Sequence, residues 1–188
     1  MNRTAETALE SELLLLRAWH PRDAGALATA CGDPEICAFT TVPRRYSQEA
    51  AAAWIERQAQ RVADGTANVF AIVPRWQEDP IGATWLFDFD TSPSARIGCW
   101  LLAAHRHDGF GLEATRLLSR WGLSVLGLRR IRLEFLPDNE ASRRVCIGLG
   151  AIREGQRERV TSQGSTLVER WLLGRSQLEA SRAEPGAR

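Results

Sequence analysis

Residues 97–127, IGCWLLAAHRHDGFGLEATRLLSRWGLSVLG, decide the reading of this chain. The apolar run at 97–104 predicts a strand. A polar knot follows, Arg106-His107-Asp108-Gly109-Phe110-Gly111, and then a helical period in which Ala114, Leu117, Leu118, Trp121 and Val125 share one stripe. A strand, a glycine turn and a helix together present unpaired backbone N–H groups and the positive end of a helix dipole. That arrangement binds anions, and glycine lets the backbone approach one with no Cβ in the way. The stretch predicts an anion cradle at Gly109–Gly111, with the rest of the chain as its scaffold.

Two fingerprints fit the same residues. Gly109-Phe110-Gly111-Leu112-Glu113-Ala114 matches the dinucleotide pattern G-x-G-x-x-[GA], with Glu134 near the spacing of a ribose-binding acid. Arg106-x-x-Gly109-x-Gly111 matches the [RQ]-x-x-G-x-[GA] loop that cradles the pyrophosphate of coenzyme A. A third reading is a helix start whose glycines only allow close packing. Context favours the second: Ala104-His105-Arg106-His107-Asp108 intervenes before Gly109, and too little chain follows for several further βα units.

The ordered set of motifs is more specific than any one of them. Gly98, Trp100, Leu101, Arg106, Gly109, Phe110, Glu113 and Ala114 are followed by Asn139 and Ser142, and then by Leu149, Gly150, Ala151, Glu154 and Gly155. In this order they resemble the GNAT superfamily of acyl-CoA-dependent N-acetyltransferases, and within it the bacterial branch that acetylates ribosomal-protein N-termini. The opening LLLLRAWHPRDAGALATACGDPEI is similar to that family's first strand and helix. Two departures stand out: His107 and Asp108 occupy positions where the family usually has glycine and a basic residue. An acid in a pyrophosphate loop repels the ligand, which is expected to weaken affinity and leaves room for an acyl-CoA other than acetyl-CoA.

Composition narrows the remaining classes. The chain has 188 residues, enough for one domain with a real core. Formal charge is +1 with 25% charged residues, so there is no nucleic-acid footprint. All 24 basic residues are arginine, which excludes a P-loop lysine and a Schiff base. Cys31, Cys37, Cys99 and Cys146 show no C-x-x-C pair or zinc spacing, so no metal is expected. Residues 1–12 are polar and the leucine run at 13–16 is too short for a signal core or a membrane span. The expectation is a cytoplasmic enzyme, monomer or homodimer, that engages no membrane.

In order, the chain predicts a tail (1–12), a strand (13–19), a helix (21–30), and an unpatterned segment (35–45). A helix capped by Ser47 follows, with Ala51, Trp54, Ile55 and Val62 buried and Gly65 at its end. Strands at 68–73, 81–89 and 97–104 lead into the long helix. Residues 130–136 alternate, Ile131, Leu133 and Phe135 against Arg132 and Glu134. A short helix starts at Asn139 and stops at Gly150; strands at 151–160 and 166–173 bracket a turn at Gln163-Gly164. The whole reads as α/β (α+β), a mixed, mostly antiparallel central sheet of about seven strands with helices on both faces. The single acyltransferase domain is expected at 13–174, with a polar C-terminal tail at 175–188.

The resemblance implies transfer of an acetyl or other acyl group from acyl-CoA to a primary amine in a ternary complex, the acceptor being a protein N-terminus or a small molecule. In the family the strand before the glycine loop splays from the strand after the long helix, and the pantetheine arm enters the gap. Backbone groups at Leu101, Leu102 and Ala103 would pair with that arm, and an N–H near Leu101 would hold the oxyanion. His107, Asp108 and Leu112 complete the cofactor loop with Arg106, Gly109, Phe110 and Gly111. Asn139 would face the arm, Ser142 would protonate the leaving thiolate, and Glu35, Phe39 and Trp100 would wall the acceptor site. Trp100, like Trp85, also fits a plain core anchor. Glu134, on the polar side of a strand bordering the cleft, is the preferred base. Its alternative is a surface carboxylate paired with Arg132, and Glu158 and Thr161 are candidates on the later strand. Two rivals remain: an NAD(P)-binding oxidoreductase using Gly109-x-Gly111-x-x-Ala114, and a non-catalytic CoA-binding module.

Overall fold

The computed structural model describes residues 7–40, 47–161 and 164–183. Strands β1 (Leu9–Glu10) and β2 (Leu14–Arg17) are followed by helices α1 (Ala24–Cys31), α2 (Pro34–Phe39) and α3 (Gln48–Ala63). Strands β3 (Ala67–Pro74), β4 (Gly82–Phe87) and β5 (Ser94–Leu101) precede α4 (Phe110–Ser124). The chain ends β6 (Arg130–Phe135), α5 (Glu140–Gly148), β7 (Ile152–Thr161), β8 (Gly164–Leu173) and α6 (Arg175–Ala183). The strands form one sheet in the order β1-β2-β3-β4-β5-β6-β8-β7. Every pairing is antiparallel except β5 with β6.

Alternation along the strands separates two layers. One face sends Ala95, Ile97, Ile131, Leu133, Phe135, Trp171 and Leu173 against Leu118, Trp121 and Leu123 of α4 and Leu178 of α6. The other sends Val69, Ala71, Val73, Ala83 and Trp100 against Leu27 and Ala30 of α1 and Ala51 and Ile55 of α3. Beyond β5 this second face turns polar, with Arg132 and Glu134 on β6 and Arg170 on β8. Arg17 fixes the entry to α1: its guanidinium grips buried Asp23 at 2.7 and 3.1 Å, and the same carboxylate accepts the His20 N–H at 2.8 Å.

Ser47 caps α3 by accepting from the Ala50 N–H, and the alternation of β6 holds residue by residue. Several boundaries differ from the sequence reading. The sheet has eight strands, because Leu9–Glu10 lies against Leu15 and Leu16 inside the segment read as a tail. The helix read at 21–30 is a 3-10 turn, Pro21–Asp23, continued by α1. The strand read as running to 104 stops at Leu101, where a 3-10 turn (Ala103–His105) begins. Val125 leaves the apolar stripe and is exposed. Within the unpatterned segment, Asp33 accepts from the Glu35 and Ile36 N–H groups and starts α2. Residues 1–6, 41–46, 162–163 and 184–188, which hold part of both tails, of that segment and of the Gln163-Gly164 turn, lie outside the described residues.

Residues 175–183 are no tail. They form α6, whose Leu178 is 4% exposed within the α4 core, and Arg175 donates to the Leu123 carbonyl at 2.8 Å. Leu178→Ala is expected to cost about 2 kcal/mol or more in urea unfolding, as deletion of a buried leucine does. A loss under 0.5 kcal/mol would mean that α6 is not part of the cooperative unit.

Candidate active site

Strands β5 and β6 pair at three registers, Ser94–Arg130, Ala95–Ile131 and Arg96–Arg132, and then part. Residues 97–101 and 133–135 continue on either side of an opening. On the β4 side, the Leu102 N–H reaches the Ile81 carbonyl at 2.8 Å. Alternation therefore turns the N–H groups of Leu101, Cys99 and Ile97 toward the gap. This revises the expected trio: Leu101 faces the opening, whereas Leu102 bonds Ile81 and accepts from His105, and Ala103 accepts from Arg106. Gly98 lets a side chain of β4 close over β5 beside the gap. A Cβ there would lie 2.4 Å from ring carbons of Trp85, so the indole crosses the strand only because the residue is glycine.

Helix α4 begins beside the end of β5. Gly109 is its N-cap at φ +83°, a conformation suited to glycine, and no side chain caps the end. The Glu113 N–H bonds the Gly109 carbonyl at 3.0 Å, so the N–H groups of Phe110, Gly111 and Leu112 precede the first helical bond. A Cβ on Gly111 would meet only Leu101 Cδ1 at 3.5 Å, so the fold itself tolerates a side chain there. His107 and Asp108 are exposed at the rim, His107 at φ +73°. Exposed Trp76 packs on Phe110 with ring centroids 5.8 Å apart. Arg106 does not point at the cradle. Its guanidinium is held by Asp33 and Glu35 at the start of α2, and its Nε donates to the Leu101 carbonyl at 3.1 Å. The structure thus joins Glu35 to the glycine loop, with Phe39 exposed on the same short helix.

Asn139 caps α5, its Oδ1 accepting the Ser142 N–H at 2.9 Å, while the Ser142 hydroxyl makes no hydrogen bond among the described residues. Arg143 fixes this helix. It donates to both Glu169 oxygens at 3.2 and 3.1 Å, to the Pro137 carbonyl, and to Glu140. Glu169, 1% exposed on β8, also accepts the Trp171 Nε1–H at 2.8 Å. The Arg143 guanidinium foremost holds its carboxyl down to about 2, and Glu169 in turn raises Arg143. The sequence reading missed this clamp, because its partners lie 26 residues apart with no local pattern linking them. Arg116 adds a second tie, from α4 to the Gly148 carbonyl of α5 at 2.8 Å.

Glu134 lies on the opposite face, its side chain 0% exposed. Arg157 donates to it, Arg96 Nε stands 3.3 Å away and Arg170 Nε 3.8 Å away. The expected alternative partner, Arg132, pairs instead with Asp88 and Asp90, each at 3.4 Å. Glu158 is exposed on β7, and the side chain of Thr161 lies outside the described residues. Trp100 is no part of an open wall: it is 5% exposed and packed 6.2 Å from Trp19. Burial pushes the thiols of Cys99 and Cys146 up to about 12. A cavity of about 130 Å³ beneath α3, lined by Trp19, Ile55, Gln58 and Asn68, shares none of these residues.

A family model described as acetyltransferase (GNAT) domain matches residues 14–152. The uncharacterized N-acetyltransferase YoaA of Bacillus subtilis (strain 168) is 27% identical over 159 residues, 84% of this chain and 90% of YoaA. Among solved structures, the ribosomal L7/L12 alpha-N-protein acetyltransferase RimL, in complex with coenzyme A, superposes with a TM-score of 0.79. It is 19% identical, covering 89% of this chain and 98% of RimL. The ribosomal-protein-S5-alanine acetyltransferase from Vibrio fischeri gives 0.75 at 17% identity, covering 90% and 97%. At these identities the superpositions establish the fold. The dinucleotide reading falls: the family match is to acetyltransferases, and the sheet is antiparallel except at β5–β6. Among the described residues no helix is long and apolar enough to cross a membrane, and no cluster could hold a metal.

The Glu169 clamp predicts a pH response. A carboxyl lowered from 4.5 to about 2 contributes stability that is complete above pH 4.5 and is lost as pH falls through about 2. Glu169→Gln is expected to lower the melting temperature at pH 7 by several degrees, with the deficit shrinking between pH 4.5 and 2. A deficit independent of pH over that range would contradict the clamp.

Proposed function

The chain belongs to the acetyltransferase (GNAT) domain family, whose chemistry moves an acyl group from coenzyme A to an amine, and from that premise we propose how this site does so. The carrying observation is the opening between β5 and β6 beside the uncapped start of α4. The pyrophosphate of the acyl-CoA lies on the N–H groups of Phe110, Gly111 and Leu112, favoured by the helix dipole. The pantetheine arm runs into the gap and pairs with the β5 N–H groups that face it. The Leu101 N–H takes the developing oxyanion. His107 and Asp108 border the phosphates, with Asp108 opposing them.

The amine nitrogen attacks the thioester carbonyl, a C–N bond forms, the C–S bond breaks, and the thiolate leaves. The amine gives its proton to water, and the thiolate takes one through the Ser142 hydroxyl, whose hydrogen-bonding capacity is open. Asn139 orients that helix start toward the arm. The acceptor, a small amine or a peptide N-terminus, enters past Glu35 and Phe39. Glu134 has its approaches filled by Arg157, Arg96 and Arg170, so an amine cannot reach its carboxylate. Its role here is to hold those guanidiniums in place, and proton acceptance falls to water.

Two variants test the assignment. Gly111→Val places a branched side chain where the cofactor backbone must approach, while the fold offers it only an ordinary contact. Its acetyl-CoA dissociation constant by calorimetry is expected to rise at least tenfold, about 1.4 kcal/mol, with a melting temperature within a few degrees of wild type. Unchanged affinity would place the cradle elsewhere. Ser142→Ala is expected to reduce kcat about tenfold or more in a thiol-release assay across an amine panel, with acetyl-CoA affinity unaltered. Turnover at the wild-type rate would remove the proton-donor role.

A further inference from the structure

On the sheet face opposite α4, β5, β6, β7 and β8 gather five arginines. Arg96 and Arg132 sit at the last paired register before the opening. Arg170 lies beside Glu134, and Arg157 and Arg159 stand opposite Val168 and Thr166 on β7. Arg96 is fixed by Phe87, whose ring centroid is 4.8 Å below its guanidinium carbon. Four carboxylates meet these five cations. Glu134 is shared by three of them; Arg132 uses Asp88 and Asp90, and Arg170 uses Glu154 at 2.7 Å. Asp88, Asp90 and Glu154 are themselves exposed and solvent-screened. Arg159 has no ion pair among the described residues.

The hydrogen-bond inventory points the same way. The Nε groups of Arg132 and Arg159 are shielded from solvent and make no hydrogen bond, whereas those of Arg96 and Arg170 lie in ion pairs, 3.3 Å from Glu134 and 2.7 Å from Glu154. A shielded guanidinium donor without an acceptor is costly, and guanidinium geometry matches phosphate and carboxylate oxygens two at a time. Burial foremost lowers the Arg96 guanidinium from its ordinary value; Glu134 and Asp88 oppose this, and the like charges of Arg159 and Arg132 add to it.

An acceptor amine is itself an ammonium ion before it reacts, so a cationic face at the gap repels an amine that carries no other charge. We propose that this face binds the oxyanion of the acceptor: the substrate is a small amine that also bears a phosphate or carboxylate, held by Arg157 and Arg159, two positions apart on the same face of β7, while its amine reaches the opening. The inference rests on the acyltransferase reading, because that reading places the acceptor on this side of the gap. Arg157, 43% exposed, is the outer member of the set. The face selects by charge, against neutral and purely cationic amines.

The test separates this proposal from the reading beneath it. Protein saturated with acetyl-CoA, so that the helix cradle is filled, is titrated with inorganic phosphate and, separately, with succinate by calorimetry. One equivalent of at least one probe is expected to bind, and Arg159→Gln and Arg157→Gln are each expected to weaken it tenfold or more while acetyl-CoA affinity holds. The stronger probe identifies the oxyanion as phosphate or carboxylate. In turnover, O-phosphoethanolamine and β-alanine are compared with ethanolamine, and the favoured anionic amine should lose its advantage in KM in both variants. Absence of binding by both probes, or binding indifferent to both arginines, overturns the proposal. Failure of acetyl-CoA itself to bind would instead overturn the acyltransferase reading. If Arg159→Gln does not fold, Arg157→Gln at the exposed rim carries the titration.

Discussion

Hydrogen bonding between β5 and β6 stops after three registers, and the site follows from that interruption. Backbone N–H and C=O groups inside a protein require partners, so two strands that part leave a slot lined with donors and acceptors. Such a slot suits an extended chain bearing its own amide groups. Side chains line the parting on both faces. On one, Arg96 on β5 and Glu134 on β6 meet just beyond the last paired register, while Trp85 lies across Gly98. On the other, Leu133 and Phe135 turn into the α4 core, and Arg143 holds α5 to β8 and to the loop that leaves β6. The start of α4 then falls beside the slot because only a short turn joins it to β5.

The parts legible in the sequence are those written in local order. The stripe of α4, the alternation of β6 and the caps Ser47 and Asn139 each depend on residues a few positions apart, and the structure carries them apart from Val125 at the end of the stripe. Helix α2 escaped because six residues hold less than two turns of period, and α6 because a single buried leucine stands for its whole apolar face. Side-chain pairing was least legible. Arg106 fits a phosphate loop by spacing, yet its partners Glu35 and Asp33 lie 71 and 73 residues upstream, where only the fold delivers them. Glu134 has Arg132 two positions away on the same face, but its ion pairs were decided by register and strand parting, which brought Arg157 and Arg96 instead.

The two faces of the sheet handle buried charge alike. Glu134 looks one way and Glu169, opposite the very next residue of β6, looks the other. Each is enclosed by guanidiniums from several elements, so each acts as a rivet: removing one partner strands the remaining charge, which costs more than the pair contributes. The difference lies in the surplus. Around Glu169 the Arg143 and Trp171 donors are matched, and the result is a fixed α5. Around Glu134 three guanidiniums share one carboxylate whose Oε2 makes no hydrogen bond, and shielded donors remain.

The arginine lining also bears on self-modification. An activated thioester acylates any uncharged amine close to it, and a lysine placed beside the gap would lose its proton often enough to be consumed by the enzyme's own donor. Guanidinium stays protonated across the physiological range and offers no free electron pair for attack. With no lysine in the chain, the positive charge beside the opening comes without a side-chain amine that could take an acyl group as an amide.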